Sequence, residues 1–217
     1  MKQTRFLGTI LLMAMIAFVI TFVSCKNGLT NDSETQSALT GRIGVSVPHV
    51  DTLKEGNTIT VVTTNLGGSG TFSFFWYRGS DRIIGATGSS YTLISDDVGK
   101  LITVEVSRSG NTGFVSYNLP NPVLPSTAPD LSGSITIDGI SSVGQFLTAN
   151  TSNLNGTGEI RYQWFREGAG VLTWSHTDIY STFHLTSAVV GQRIQLRVYR
   201  MGYYGVIQSA FTSAVTW

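Results

Sequence analysis

An internal repeat constrains the fold of this chain more than any other feature. TNLGGSG recurs as SNLNGTG, FSFFWYR as IRYQWFR, SYTLISDDVGKLITVEV as TFHLTSAVVGQRIQLRV, and RSGNTG as RMGYYG, in the same order. The copies differ in length at two places, because the second has a shorter first hairpin and a longer stretch after its Trp. Such self-similarity predicts two units of one architecture. It also raises a question: why does the second copy replace Asn111-Thr112 by Tyr203-Tyr204 inside a preserved frame?

A proline-rich segment separates the copies. LPNPVLPSTAPD holds four of the five prolines of the chain, and such a segment is extended and semi-rigid. The sequence therefore predicts a first domain over residues 39–123, a linker over 124–130 and a second domain over 131–217.

Hydrophobic residues within each copy alternate with a period of two, which is typical of strands with one buried face. Phe72, Phe74 and Trp76 alternate with Ser73, Phe75 and Tyr77, and Ile160, Tyr162 and Trp164 alternate with Arg161, Gln163 and Phe165. Short alternating runs fall near 41–47, 57–63, 71–78, 82–85, 90–94, 101–107 and 114–118, separated by turns rich in the 24 glycines of the chain. About seven strands per copy predict an all-β fold of two antiparallel sandwiches.

The run YTLISDDVGKLITVEV and the Trp at the centre of each third strand resemble the bacterial immunoglobulin-like repeats of secreted and surface proteins. This resemblance covers residues 39–123 and 131–217, and it implies two tandem immunoglobulin-like β-sandwich domains. In that family the run forms two strands and the corner between them. The second copy has Val189 where the first has Asp97, and neither copy has core cysteines, so each core must depend on Trp76 or Trp164 and the surrounding aliphatic residues.

The N-terminus has the pattern of a secretory leader. Lys2 and Arg5 precede an uncharged run over residues 6–23, which ends at Ser24 and Cys25, the only cysteine. FVSC resembles the lipobox of bacterial lipoproteins, which implies cleavage after residue 24 and lipidation of Cys25, for example by palmitate. An uncleaved apolar helix that anchors the chain is the alternative.

The polar segment over residues 25–38 is then a tether to the membrane. On this interpretation the protein lies in the bacterial cell envelope, on the outer membrane or cell surface.

Motifs of catalysis and cofactor binding are absent from the sequence, so no enzyme activity, cofactor or metal is expected. His176 and Asp178 form too small a set for a metal site, and adjacent Asp96 and Asp97 are expected to cap a turn. The net charge of +1 without a basic cluster excludes nucleic acid as a partner.

Exposed aromatic residues are the candidate binding residues. Tyr203 and Tyr204 are expected to protrude from a hairpin tip near the loop NLNGTG, and the longer stretch of the second copy is expected to bring Trp174 to the same end. Tyr and Trp among small polar residues are typical of protein-binding surfaces, and flat aromatic rings also stack on sugars. The alternative is that both tyrosines fold over an adjacent strand or pack on the neighbouring domain.

A second surface is expected on the outward side of the third and sixth strands of the second copy, either solvated or used for self-association. Its residues are Arg161, Gln163, Gln195, Arg197 and Tyr199. The sequence thus favours a non-catalytic module for binding or adhesion to an extracellular protein or glycan, with a structural spacer of the envelope as the alternative.

Overall fold

The computed structural model describes residues 36–168, 171–178 and 180–217, with backbone alone at 168 and 171–178. We call residues 39–123 sandwich 1 and residues 131–217 sandwich 2. Within the described residues, no helix is long and apolar enough to cross a bilayer, and no group of three or more His, Cys, Asp or Glu could hold a metal ion.

Sandwich 1 consists of two antiparallel sheets. Its strands are β1 (Gly44–Ser46), β2 (Thr58–Val62), β3 (Phe72–Arg78), β4 (Asp81–Arg82), β5 (Ser90–Thr92), β6 (Ile102–Arg108) and β7 (Val115–Asn118). One sheet has the order β1-β2-β5 and the other β4-β3-β6-β7. The strands predicted from the alternation are confirmed to within a few residues.

Sandwich 2 repeats this arrangement. Its strands are β8 (Gly133–Asp138), β9 (Phe146–Leu154), β10 (Ile160–Gly168), β11 (Val171–Asp178), β12 (Thr182–His184), β13 (Ile194–Arg200) and β14 (Ile207–Gln208). The sheets have the orders β12-β9-β8 and β11-β10-β13-β14. Both sandwiches therefore pair the same strands in the same order, which makes the fold all-β with two tandem immunoglobulin-like β-sandwiches.

Each sandwich has its own core around one indole. Trp76 and Trp164 are both 1% exposed, and each packs among aliphatic residues from both sheets. The Trp76 N–H donates to the Gly88 carbonyl at 2.9 Å, and the Trp164 N–H donates to the Tyr180 carbonyl at 3.3 Å. Burial with a satisfied N–H is the arrangement in which Trp stabilises a core most.

The corner before β6 is built differently in the two copies. In sandwich 1 the fully buried Asp97 accepts hydrogen bonds from Arg78 Nε at 2.7 Å, Tyr91 Oη at 2.9 Å and the Ile94 N–H at 2.8 Å. The predicted turn-capping role of Asp97 is thus confirmed. In sandwich 2 the corresponding residues are the buried Val189 and the partly buried Phe183. Phe183 and Val189 stand where sandwich 1 has Tyr91 and Asp97. Sandwich 2 therefore has no tyrosine hydroxyl at this corner that needs a carboxylate as its acceptor.

Two length differences distinguish the sandwiches. The loop between β1 and β2, residues 47–57, has eleven residues, whereas its counterpart between β8 and β9, residues 139–145, has seven. We call residues 47–57 the clamp loop. After the core Trp, the second copy extends β11 to eight residues, whereas β4 has two.

Candidate functional site at the junction between the sandwiches

The Arg that both copies retain at the end of β6 and β13 ties the hairpin tip to the neighbouring loop. Arg108 Nη1 donates to the carbonyls of Gly67 at 2.8 Å and Gly68 at 2.7 Å, and Arg200 Nη1 donates to the Gly158 carbonyl at 2.7 Å. The tip glycines Gly113, Gly202 and Gly205 have positive φ, which side chains disfavour. The preserved frame is therefore a structural requirement of the hairpin.

Each tip also holds the chain that enters its own sandwich. Thr112 forms an isolated parallel bridge with Ala38, and Tyr204 forms the equivalent bridge with Asp130. The Leu39 N–H donates to the Thr112 carbonyl at 2.8 Å, and the Leu131 N–H donates to the Tyr204 carbonyl at 2.7 Å. The tip of sandwich 2 is consequently fixed beside the linker, where sandwich 1 can reach it.

The two tyrosine rings pack in different directions. Tyr203 contacts the core of sandwich 2 and lies against Gly156 of the NLNGTG loop, where a Cβ would collide with the ring. Tyr204 reaches sandwich 1: its ring meets His49 edge-on at 5.5 Å between centroids, and Lys54 Nζ lies 4.2 Å above it. A cation at this distance from an aromatic face is attracted to it.

The structure thus decides between the alternatives left open for this tip. The expectation that both tyrosines protrude is wrong, because one ring covers its own sandwich and the other packs on the neighbouring one; both are half-buried. The expected proximity of the tip to the NLNGTG loop is confirmed.

The structure does not bring Trp174 to the tip. Trp174 lies within β11, paired with Phe165, whereas the tip follows the pairing of Arg200 with Ile160. Five residues along a strand separate these points, or about 17 Å. The longer stretch of the second copy extends a sheet edge instead of returning to the tip. Cys25 lies outside the described residues, and ligand binding by Tyr203, Tyr204 or Trp174 stays a prediction.

Asp51 of the clamp loop joins the two sandwiches. Its Oδ2 accepts from Arg197 Nη2 at 2.7 Å and its Oδ1 accepts from Gln163 Nε2 at 3.1 Å. Asp51 is 6% exposed and Gln163 is 4% exposed. The outward cluster predicted on the third and sixth strands does form, because β10 and β13 place Gln163 opposite Arg197. It is not a solvated face at these positions, since sandwich 1 covers it.

Further hydrogen bonds surround this ion pair. The Gly205 N–H donates to Thr52 Oγ1 at 2.9 Å, and Asn121 Nδ2 donates to the Asp51 carbonyl at 3.0 Å and to Tyr199 Oη at 3.3 Å. We call this set of contacts the junction. Buried charge pairs are stabilised only when neighbouring polar groups complete their hydrogen bonds.

His49 makes the junction sensitive to acid. Burial and the nearby Arg197 guanidinium lower the pKa of His49 below its usual value, although Asp51 opposes them. The neutral imidazole is therefore favoured in the folded protein. Its contribution to stability is complete above the ordinary His pKa of about 6.5 and is lost as the pH falls through the lowered value.

Two differences between the copies meet at the junction. The four additional residues of the first copy lengthen the loop that carries His49 and Asp51, and the changed tip of the second copy supplies Tyr204. Sequence reasoning missed this site because it treated the two differences separately. The sequence does contain an indication of this site: the clamp loop is longer than the equivalent loop of the second copy, and it contains the charged residue Asp51.

Replacing Asp51 by Ala is expected to loosen the junction while both cores stay folded. Arg197 would lose its carboxylate partner in a mostly buried position, which costs about 3 kcal/mol or less, given partial access of water to the guanidinium. Small-angle X-ray scattering should report a wider distribution of distances between the sandwiches, and thermal melting should separate into two transitions.

Asp81→Ala is the matched control, because Asp81 is an exposed residue of β4 in the same sandwich. If Asp51→Ala and Asp81→Ala give the same scattering profile, the ion pair does not hold the sandwiches together.

A cleft of about 420 Å³ opens along the junction. Sandwich 1 contributes Asp51, Pro120 and Asn121 to its walls, and sandwich 2 contributes Arg161, Tyr162, Gln163 and Tyr199. Clefts of 300–1,000 Å³ at domain interfaces are common ligand sites.

Comparisons with known proteins give structural neighbours but no family. No family model matches the chain, and no curated protein matches it. The three N-terminal domains of the Hoc capsid protein of bacteriophage RB49 match at 11% identity and TM-score 0.31, covering 80% of this chain and 68% of that one.

Domains A168–A170 of titin match at 14% identity and TM-score 0.30, covering 82% of this chain and 66% of that one. The FN1–FN3 domains of chicken CNTN1 match at 12% identity and TM-score 0.24, covering 79% of this chain and 66% of that one. All three scores are below 0.5, so the fold assignment depends on the sheet order and the repeated cores.

Proposed function

We propose that this chain is a non-catalytic, lipid-anchored protein of the bacterial cell envelope that presents two immunoglobulin-like sandwiches in a fixed arrangement for binding or adhesion. The lipid is attached at Cys25, and the ligand is an extracellular protein or glycan. The leader pattern and the lipobox resemblance support the anchor.

The junction is the observation that carries this proposal. A semi-rigid linker alone leaves two domains free to reorient, and domain motion is the default where the interface is small. Here the linker is held at both ends, by the Leu124 N–H to the Leu53 carbonyl at 2.8 Å and by the Tyr204 N–H to the Pro129 carbonyl at 2.9 Å. The Asp51 ion pair adds a contact beyond the linker. A fixed arrangement reduces the entropy lost when a ligand contacts both sandwiches.

A structural spacer is the second candidate. The half-burial of Tyr203 and Tyr204 favours it, since the aromatic residues expected at a binding tip serve the junction instead. The two functions predict different behaviour. A binding module is expected to bind a ligand in a screen, whereas a spacer is expected to bind none and to self-associate at high concentration.

Metabolic labelling with a palmitate analogue tests the anchor. We expect the wild-type chain expressed in a bacterium to incorporate the label and to fractionate with membranes, and Cys25→Ala to lose the label, because the acyl chains attach at that thiol.

Ser24→Thr serves as the control for general damage to the leader, with label expected to persist. Membrane association of the wild-type chain without any incorporated label would instead favour an uncleaved apolar helix, and would overturn the lipoprotein assignment.

A further inference from the structure

One residue in the wall of the junction cleft carries a buried hydrogen-bond acceptor that has no partner among the described residues. Within the described residues, four buried side-chain atoms have no hydrogen-bond partner: Gln163 Oε1, Gln192 Oε1, Arg197 Nε and Arg200 Nε. Gln163 is the one of these residues that lines the 420 Å³ cleft. Its Nε2 is fixed by Asp51, so the side chain cannot exchange its two ends without losing that hydrogen bond. A buried acceptor without a donor is costly, and a donor that reaches it is favoured.

The charges around the cleft favour an uncharged group as the hydrogen-bond donor. Arg161 and Asp51 line it with opposite charges, and Arg197 stands directly across the β10–β13 pair from Gln163. Arg161 is paired with Glu159 at 3.0 Å and Arg197 with Asp51 at 2.7 Å, so the charges around the cleft compensate each other and neither a cationic nor an anionic ligand gains a net attraction. An uncharged hydroxyl can donate to Gln163 Oε1 and accept from a guanidinium at the same time.

We propose that the junction cleft binds a neutral saccharide, one of whose hydroxyl groups donates to Gln163 Oε1 while others contact Arg161 and Asn121. A ligand rich in hydroxyl groups matches a wall formed mainly by polar side chains, and the volume accommodates a small sugar unit. Because both sandwiches contribute walls, binding requires the closed junction. This inference rests on the proposed binding role and assigns it a ligand class.

A glycan array carrying neutral and acidic oligosaccharides tests the proposal. The probe is the fluorescently labelled full chain in a detergent without a sugar head group, since a glycosidic detergent would compete. We expect binding to neutral glycans, with an affinity reduced about tenfold by Gln163→Leu, the effect of losing one buried hydrogen bond. Arg161→Met should also weaken binding, and because Arg161 is partly exposed this variant keeps the test valid if Gln163→Leu fails to fold.

Gln192→Leu is the matched control, because it removes another buried amide oxygen without a partner, away from the cleft. It should bind as the wild type does. The proposal is overturned if no neutral glycan binds, if acidic glycans alone bind, or if Gln163→Leu and Arg161→Met both bind normally. The outcome of the glycan array does not depend on the outcome of the palmitate labelling, so failure of the saccharide site is distinguishable from failure of the anchor.

Discussion

Trp164→Ala is expected to unfold sandwich 2. The indole is 1% exposed, stacks on Phe183 at 5.6 Å between centroids and donates its N–H to a backbone carbonyl. Truncating a buried Trp costs about 3–5 kcal/mol, a large part of the roughly 5–15 kcal/mol that stabilises a domain. No disulfide compensates, since the only cysteine lies outside both sandwiches. Calorimetry should show the loss of one melting transition.

Trp217→Ala provides a control with the same change of residue type. Trp217 is 81% exposed, so its removal creates no cavity, and the melting curve should stay close to that of the wild type. An unchanged melting curve for Trp164→Ala would contradict the central role of this indole.

Asp97→Val is expected to destabilise sandwich 1 by about 3–5 kcal/mol, because it removes a buried carboxylate from three donors at once. Sandwich 2 tolerates Val189 at the same place, where Phe183 has no hydroxyl to satisfy. The double variant Asp97→Val/Tyr91→Phe should therefore cost less than the sum of the two single variants. Denaturant titrations of the four proteins measure this coupling.

Asp96→Val is the control for this set, since the Asp96 side chain is 73% exposed. A loss as large as that of Asp97→Val, or strict additivity of the two single variants, would refute the explanation.

Alkaline titration gives a second measure of the same corner. Burial, followed by the hydrogen bond to Asp97, raises the pKa of Tyr91 to about 12. Below the ordinary pKa of about 10 this stabilisation is complete, and between pH 10 and about 12 the unfolded chain loses the proton first, so stability falls. Tyr91→Phe should lose this part of the alkaline dependence.

Local patterns were enough to predict the architecture. Alternation identified the strands, and the Trp at the centre of each third strand identified the cores. The same alternation placed Gln163 and Arg197 on one outward face, as the register confirms. These predictions succeed because they depend on neighbours along one strand or across one pair.

The junction could not be predicted in the same way. Asp51 and Arg197 are far apart in sequence and belong to different sandwiches, so no periodicity relates them. The tip tyrosines were expected to protrude because the core positions behind them are already occupied, with packing on the neighbouring domain as the alternative, and the sequence alone does not show that His49 and Lys54 lie close to Tyr204. The length comparison identified the longer first hairpin of the first copy, but no local pattern indicated that this loop contacts the second sandwich.

The equivalent bridges of Thr112 and Tyr204 have a consequence for how the repeat diverged. Both hairpins hold the segment that enters their own sandwich in the same way. At the second hairpin this segment comes from sandwich 1, whose clamp loop is four residues longer than the equivalent loop of sandwich 2 and contacts Tyr204. The two copies therefore differ at the positions where they face each other. The contacts of the junction need the clamp loop on the first copy and Tyr204 and Arg197 on the second, so the coupling depends on the order of the two sandwiches along the chain.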